Sequence, residues 1–265
     1  MPGPPFQVFG ATYYVGTCGI ASILIASDDG HILIDSGTEN AADLILANVR
    51  TLGFELADIR YILHSHEHYD HVGSHARLKQ LIDAEKADGT SVAIVASPEA
   101  AEVLRRGNVG ENDPQFGIHE DMLPVTADRI VTQGATISAG QTVLTAHETP
   151  GHTPGALSWT WTACSLPSEP PACTRIAYVD SLSPVSADSY RFSDHPDTIA
   201  AFRQSIARVR AMPCDIILTP HPSASGLVKD IRGGSFGAPG GCDRYASGLQ
   251  TRVDTRLAEE QNRGD

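Results

Sequence analysis

The sequence predicts a layered α/β protein, with sheets packed together and helices outside. Three observations carry that expectation. Short runs of β-branched and aromatic residues dominate both halves, helical periodicity returns between them, and no linker divides the chain.

In order, ATYYVGT (11–17) and IASILIAS (20–27) hold the residue types that favour strands. Asp29-Gly30 supplies a tight turn into HILIDS (31–36), a hairpin signal. Residues 39–52 carry Ala42, Leu44, Ile45, Ala47, Val49 and Leu52 at helical spacing and stop at Gly53, a suitable helix terminator. IRYILHS (59–65) reads as a buried strand, 73–84 as a helix, and SVAIVAS (91–97) as a strand with a short helix behind it. The second half repeats the order: strands TVLTAHE (142–148), ALSWTWTA (156–163) and RIAYVDS (175–181), a helix over 196–211, the strand DIILTPH (215–221), and a charged helix over 243–262. The expectation is one domain over 1–265, built of two related halves at about 6–135 and 136–262.

Hydrophobic residues make up 41% of the 265, enough for a sizeable core. The formal net charge is −13 with no basic block, so a nucleic acid would be repelled and a small-molecule substrate is favoured. The same acidity also serves solubility. No apolar run approaches the length of a membrane span. Met1-Pro2-Gly3-Pro4-Pro5 leads into strand-like sequence without a secretory signal, so the chain is expected to be either cytoplasmic or a mature form. Cys164 and Cys173 flank a Pro/Ser loop, Cys214 lies beside a strand and Cys242 opens the last segment. Disulfides Cys164–Cys173 and Cys214–Cys242 would fit an oxidising compartment and leave Cys18 free or short of a partner. Five reduced, buried cysteines are the alternative.

The chemistry concentrates in Leu63-His64-Ser65-His66-Glu67-His68-Tyr69-Asp70-His71. His66, His68, Asp70 and His71 place three imidazoles and a carboxylate within six residues, at the carboxyl end of a strand. Imidazole nitrogen and carboxylate oxygen are good ligands for Zn²⁺. So many polar groups in so short a run do not suit a plain core.

His-x-His-x-Asp-His after a buried strand resembles the signature of the metallo-β-lactamase superfamily. Two further stretches match in the expected order. Thr149-Pro150-Gly151-His152-Thr153-Pro154-Gly155 looks like that superfamily's histidine-bearing turn, and Thr219-Pro220-His221-Pro222 looks like its last ligand. The resemblance spans about residues 6–260. It implies a four-layer αβ/βα sandwich, two mixed sheets face to face with helices outside. It implies two Zn²⁺ ions, the first on His66, His68 and His152, the second on Asp70, His71 and His221. A hydroxide shared between the ions would attack a carbonyl carbon, with Asp70 orienting it.

The superfamily is chemically broad, so the fold does not choose the substrate. Tyr178-Val179-Asp180-Ser181-Leu182-Ser183 discriminates. In many lactonases and thioesterases an aspartate here bridges both metals, a role open to Asp180. In subclass B3 metallo-β-lactamases, serines in an Asp-Ser-Leu-Ser/Thr stretch hold the substrate carboxylate, a role open to Ser181 and Ser183. Strand alternation lets only one of Asp180 and Ser181 face the metals. The Thr-Pro-His-Pro segment, the Cys214 and Cys242 pairing and the run DSLSPVSADSYRFSDHP all resemble subclass B3 and favour Ser181. The resemblance therefore implies a periplasmic or secreted β-lactamase acting on penicillins, cephalosporins and carbapenems, and the lack of a leftover apolar stripe predicts a monomer. A di-zinc lactonase or glyoxalase-II-like thioesterase is the alternative, and a metal-binding scaffold without hydrolytic activity is a third reading. His64 is expected to pack or to support the ligands. His31, His75, His119, His147 and His195 are expected to be structural or exposed, without ligand-like partners. Tyr190 and the loop from Arg105 to Pro124, with Phe116 and Ile118, are candidates for the pocket wall.

Overall fold

The structure, a computed structural model, describes residues 2–165, 172–227 and 240–262. Most of the loop between Cys164 and Cys173 lies outside the described residues. Among those described, one sheet runs in chain order through β1 (Phe6–Phe9), β2 (Thr12–Tyr14), β3 (Ile23–Ile25), β4 (His31–Ile34), β5 (Ile59–Leu63), β6 (Ala93–Ala96) and β7 (Arg129–Ile130). Its first four strands pair antiparallel and the rest parallel. The other sheet holds β8 (Thr136–Ala139), β9 (Thr142–Glu148), β10 (Leu157–Cys164), β11 (Cys173–Tyr178) and β12 (Ile216–Leu218). β8 to β11 pair antiparallel and β12 joins β11 in parallel.

Strand alternation builds the layers. Ile23, Ile25, Ile32, Ile34 and Leu63 point between the sheets and share one cluster with Leu144, Ala146, Leu157, Trp159, Ile176 and Tyr178. Their chain neighbours Leu24, Leu33 and Ile62 point the other way, onto Ile45 and Val49 of the helix Ala42–Thr51 and Leu78 and Ile82 of the helix His75–Glu85. On the far side Ala177 and Val179 meet Phe202 and Ile206 of the helix Pro196–Ala211 and Leu249 and Val253 of the helix Gly241–Asn262. The result is helix, sheet, sheet, helix. Each Leu- or Ile-sized side chain buried this way contributes about 1.5–3 kcal/mol.

The helix Pro196–Ala211 falls where periodicity expects it, and β9 does too. Both cysteine pairs form, Cys164 with Cys173 and Cys214 with Cys242, and Cys18 is free and exposed. No helix among the described residues is long and apolar enough to cross a membrane.

The C-terminal helix splints the loop after β11. Tyr245 Oη donates to Ser181 O at 3.0 Å, Arg256 Nη2 to Ser186 Oγ at 2.8 Å, and Glu260 accepts from Phe192 N and Ser193 N at 3.1 and 2.8 Å. The segments that carry the chemistry leave the carboxyl ends of β4, β5, β9, β11 and β12.

Candidate metal centre

Two clusters form from three separate stretches of sequence. In the first, one ligand atom each from His66, His68 and His152 lies within 4.8 Å of the other two, and all three side chains are buried. In the second, Asp70 Oδ2 lies 3.2 Å from His71 Nε2 and 3.6 Å from His221 Nε2, and the two imidazole nitrogens are 3.3 Å apart. Ligand atoms at the corners of a zinc tetrahedron sit about 3.3 Å apart, given bonds of about 2.0–2.1 Å. The second triangle therefore has the dimensions of a zinc site.

The outward nitrogens argue the same way. His66 Nδ1 meets Asp180 Oδ1 at 2.8 Å, His68 Nε2 meets Asp113 Oδ1 at 3.0 Å, and His71 Nδ1 meets Asp35 Oδ2 at 3.2 Å. His152 Nδ1 donates to Ser183 O at 2.8 Å, and His221 Nδ1 to Gly19 O at 3.4 Å. With its outward nitrogen protonated, each ring turns a lone pair inward, the arrangement that fixes a metal-binding tautomer. His68 alone presents Nδ1. His66 Nε2 is buried with no hydrogen-bond partner among the described residues. A cation would satisfy that orphaned atom, so the residues fit a bound divalent metal.

Burial pushes Asp180 up to about 8 and holds His66 well below its ordinary value. Burial also opposes charge on His71, yet Asp70 and Asp35 outweigh it and push that imidazole up to about 10. Asp70 is held well below the usual carboxylate range, because His71 and His221 outweigh its burial. The second triad thus sets negative charge beside imidazole nitrogen, where a divalent cation would replace a proton.

Behind the ligands lies a frame that the sequence did not disclose. Asp35 follows β4 with φ +61°, a strained conformation for a residue other than glycine. Its oxygens accept from Ser65 N at 2.6 Å, Ser65 Oγ at 2.7 Å and Tyr178 Oη at 2.6 Å, besides His71. Glu67, inside the motif, accepts from Thr153 Oγ1 at 2.6 Å and Gly155 N at 2.7 Å, and so staples the His152 turn to the first ligands. Two glycines let that turn close. Gly151 sits at φ +145° with Phe202 where a Cβ would be, and a Cβ on Gly155 would lie 2.7 Å from Ser97 Oγ. A polar residue ending a buried strand was the available signal for Asp35. Asp113, alone in a loop, gave none.

Several expectations need correction. β11 ends at Tyr178, so Asp180 and Ser181 lie past the strand, with Leu182 at φ +43°, and strand alternation does not apply to them. Asp180 stands behind His66 and spends its other oxygen on Leu182 N at 3.0 Å. Ser181 Oγ is buried without a partner among the described residues, and Ser183 gives its carbonyl to His152. His119, expected to lack ligand-like partners, lies against His68, ring centroids 4.4 Å apart, and clusters with His68 and Asp70. Tyr190 stacks on His195 and packs toward the helices. His64 is buried, and its Nε2 accepts from Ser97 N at 3.2 Å, a packing role. His31 accepts from Ser27 N, His75 pairs with Ser36 Oγ, and His147 with Thr160 Oγ1. The loop with exposed Phe116 and Ile118 is tied to the site through Asp113 and Gln115, both on His68.

A dense histidine–carboxylate centre at the strand ends of a four-layer sandwich defines a metallohydrolase. The chain belongs to the metallo-β-lactamase superfamily, whose family model matches residues 15–166, and it is an enzyme of that hydrolytic class. Its structural neighbours are subclass B3 metallo-β-lactamases. It is 46% identical to the metallo-β-lactamase MIM-1 from Novosphingobium pentaromativorans, with TM-score 0.92 over 100% of this chain and 93% of that one. It is 38% identical to MEM-A1, a subclass B3 enzyme from a soil metagenome library, with TM-score 0.88 over 99% and 98%. A probable metallo-hydrolase from Burkholderia pseudomallei (strain 1710b) is 30% identical over 154 residues, 54% of this chain. The chain spans about half the length of that curated relative, 48%.

Proposed function

We propose that this protein hydrolyses the amide bond of β-lactams, with penicillins, cephalosporins and carbapenems as substrates, using two zinc ions. His66, His68 and His152 would hold the first, and Asp70, His71 and His221 the second. When bound, the ions supply Lewis acidity that activates water near neutral pH and polarises the carbonyl. The chain's own part is positioning. Asp180, Asp113 and Asp35 fix the imidazoles from behind, and Glu67 holds the turn that brings His152 to the others. Asp70 stands between the triads and would orient the attacking oxygen. Ser181 and Ser183 would receive the substrate carboxylate. The two disulfides fit a periplasmic or secreted enzyme, and the acidic chain fits a small-molecule substrate.

The observation that carries this reading is the convergence of both triads with an oxygen close behind the outward nitrogen of each imidazole. A bridging role for Asp180, which a lactonase or thioesterase would use, is not favoured, because that carboxylate is turned to His66 Nδ1 and Leu182 N. The test mixes zinc-loaded protein with a chromogenic cephalosporin, with and without a chelator. Turnover that the chelator abolishes is expected. Metal-bound protein that leaves the cephalosporin intact, but opens lactones or thioesters, would transfer the assignment to the alternative.

A further inference from the structure

We infer that His68, Asp70 and His119 form a third cation-binding position, which overlaps both triads and competes with them for a borderline divalent metal such as zinc. One ligand atom from each of the three lies within 4.8 Å of the other two. Two imidazoles and a carboxylate are a sufficient protein donor set for zinc. An independent observation points to a ligand: His119 Nε2 is buried with no hydrogen-bond partner among the described residues. Leaving such an atom unsatisfied is costly, so a polar occupant is called for. The ring of His119 is tilted 34° against that of His68, so the two imidazoles belong to one cluster.

The position draws one ligand from each proposed site, His68 from the first and Asp70 from the second. A cation held there cannot coexist with full coordination of the other two. It fills when free metal is in excess, or when a ligand private to another site is lost. His119 lies on the loop between Arg105 and Pro124 and is partly exposed as a residue, with its Nε2 turned inward. The competition rests on the two-ion reading above; the binding itself does not.

The test uses zinc alone. His71→Ala combined with His152→Ala removes one ligand from each triad and leaves His68, Asp70 and His119 intact. This double variant is expected to retain one zinc per chain by native mass spectrometry. Adding His119→Gln should weaken that zinc by about a hundredfold or more, beyond the 10–100-fold that loss of an outer hydrogen-bond partner costs. Adding His119→Glu instead, which keeps a ligand, should preserve it. Equal zinc binding with and without His119→Gln overturns the proposal. The intact chain supplies a measurement that does not depend on the variants folding. With zinc beyond two equivalents, the His119 ring ¹⁵N resonances, assigned by their loss in His119→Gln, are expected to move to metal-bound values. Resonances that stay at the free-imidazole position overturn it as well. Neither readout uses β-lactam turnover, so failure here and failure of the hydrolase reading are separable.

Discussion

The two triads differ in how firmly the protein holds them. His66, His68 and His152 are 1%, 1% and 5% exposed, and their outward nitrogens make contacts of 2.8–3.0 Å. In the other triad the His221 side chain is 43% exposed and the Asp70 side chain 25%, and among the described residues the long 3.4 Å contact to Gly19 O is what backs His221 Nδ1. One set is enclosed and braced, whereas the other opens to solvent through a single weakly held ring. On the two-ion reading proposed above, the fold would keep one cation as a fixture and leave the second exchangeable. The same openness leaves room for a substrate to approach.

The most severe way to break this comparison is Asp70→Ala. It removes the carboxylate of the open triad, so turnover should fall about a thousandfold or more, with metal analysis showing the open site emptied before the enclosed one. Near-normal turnover would contradict the assigned roles. Chelation comes next. Dialysis against a chelator should release zinc in two phases, the open site first. Each loss should lower the melting temperature, since a cation at a hundred times its dissociation constant stabilises by about 2.7 kcal/mol. A single release phase would make the two sites equivalent. Smaller again is the effect of the outer partners. Asp180→Asn should weaken the enclosed cation 10–100-fold and Asp35→Asn the open one, read by competition with a chromophoric chelator. Were both changes to fall on the same cation, the division into two triads would fail.

The smallest effect belongs to a surface pair outside both triads. Hydrogen bonds from Arg175 hold the Asp215 carboxyl down to about 2. Because that pKa is depressed, the pair's contribution is present above the unfolded carboxylate value of about 3.9 and fades as pH falls toward 2. Both side chains are well exposed, so Asp215→Asn should shift the neutral-pH melting temperature by less than about 2 °C, and by nothing at acid pH.

The candidate ligands were legible because they are dense or punctuated. Four fall within six residues, and His152 and His221 sit among prolines, with glycines around the first. The layers were legible because strand alternation sorts Ile23 and Ile25 from Leu24 in the sequence as it does in space. β7 went unseen because a strand of two exposed residues has no period to read. The supporting carboxylates went unseen for a different reason. Asp113 reaches His68 across 45 positions and Asp35 reaches His71 across 36, and nothing local marks either as paired. His119 failed for the same reason, since its neighbours in space are not its neighbours in the chain.

The Glu67 staple has a consequence for anyone recombining this enzyme with its relatives. Its hydroxyl partner lies 86 positions downstream, so any crossover between the two separates them. A hybrid that takes its front from this chain and its back from a donor without a hydroxyl at position 153 would inherit every ligand and still bring the turn in badly seated. Grafting that one side chain along with the donor segment is the repair such a hybrid calls for.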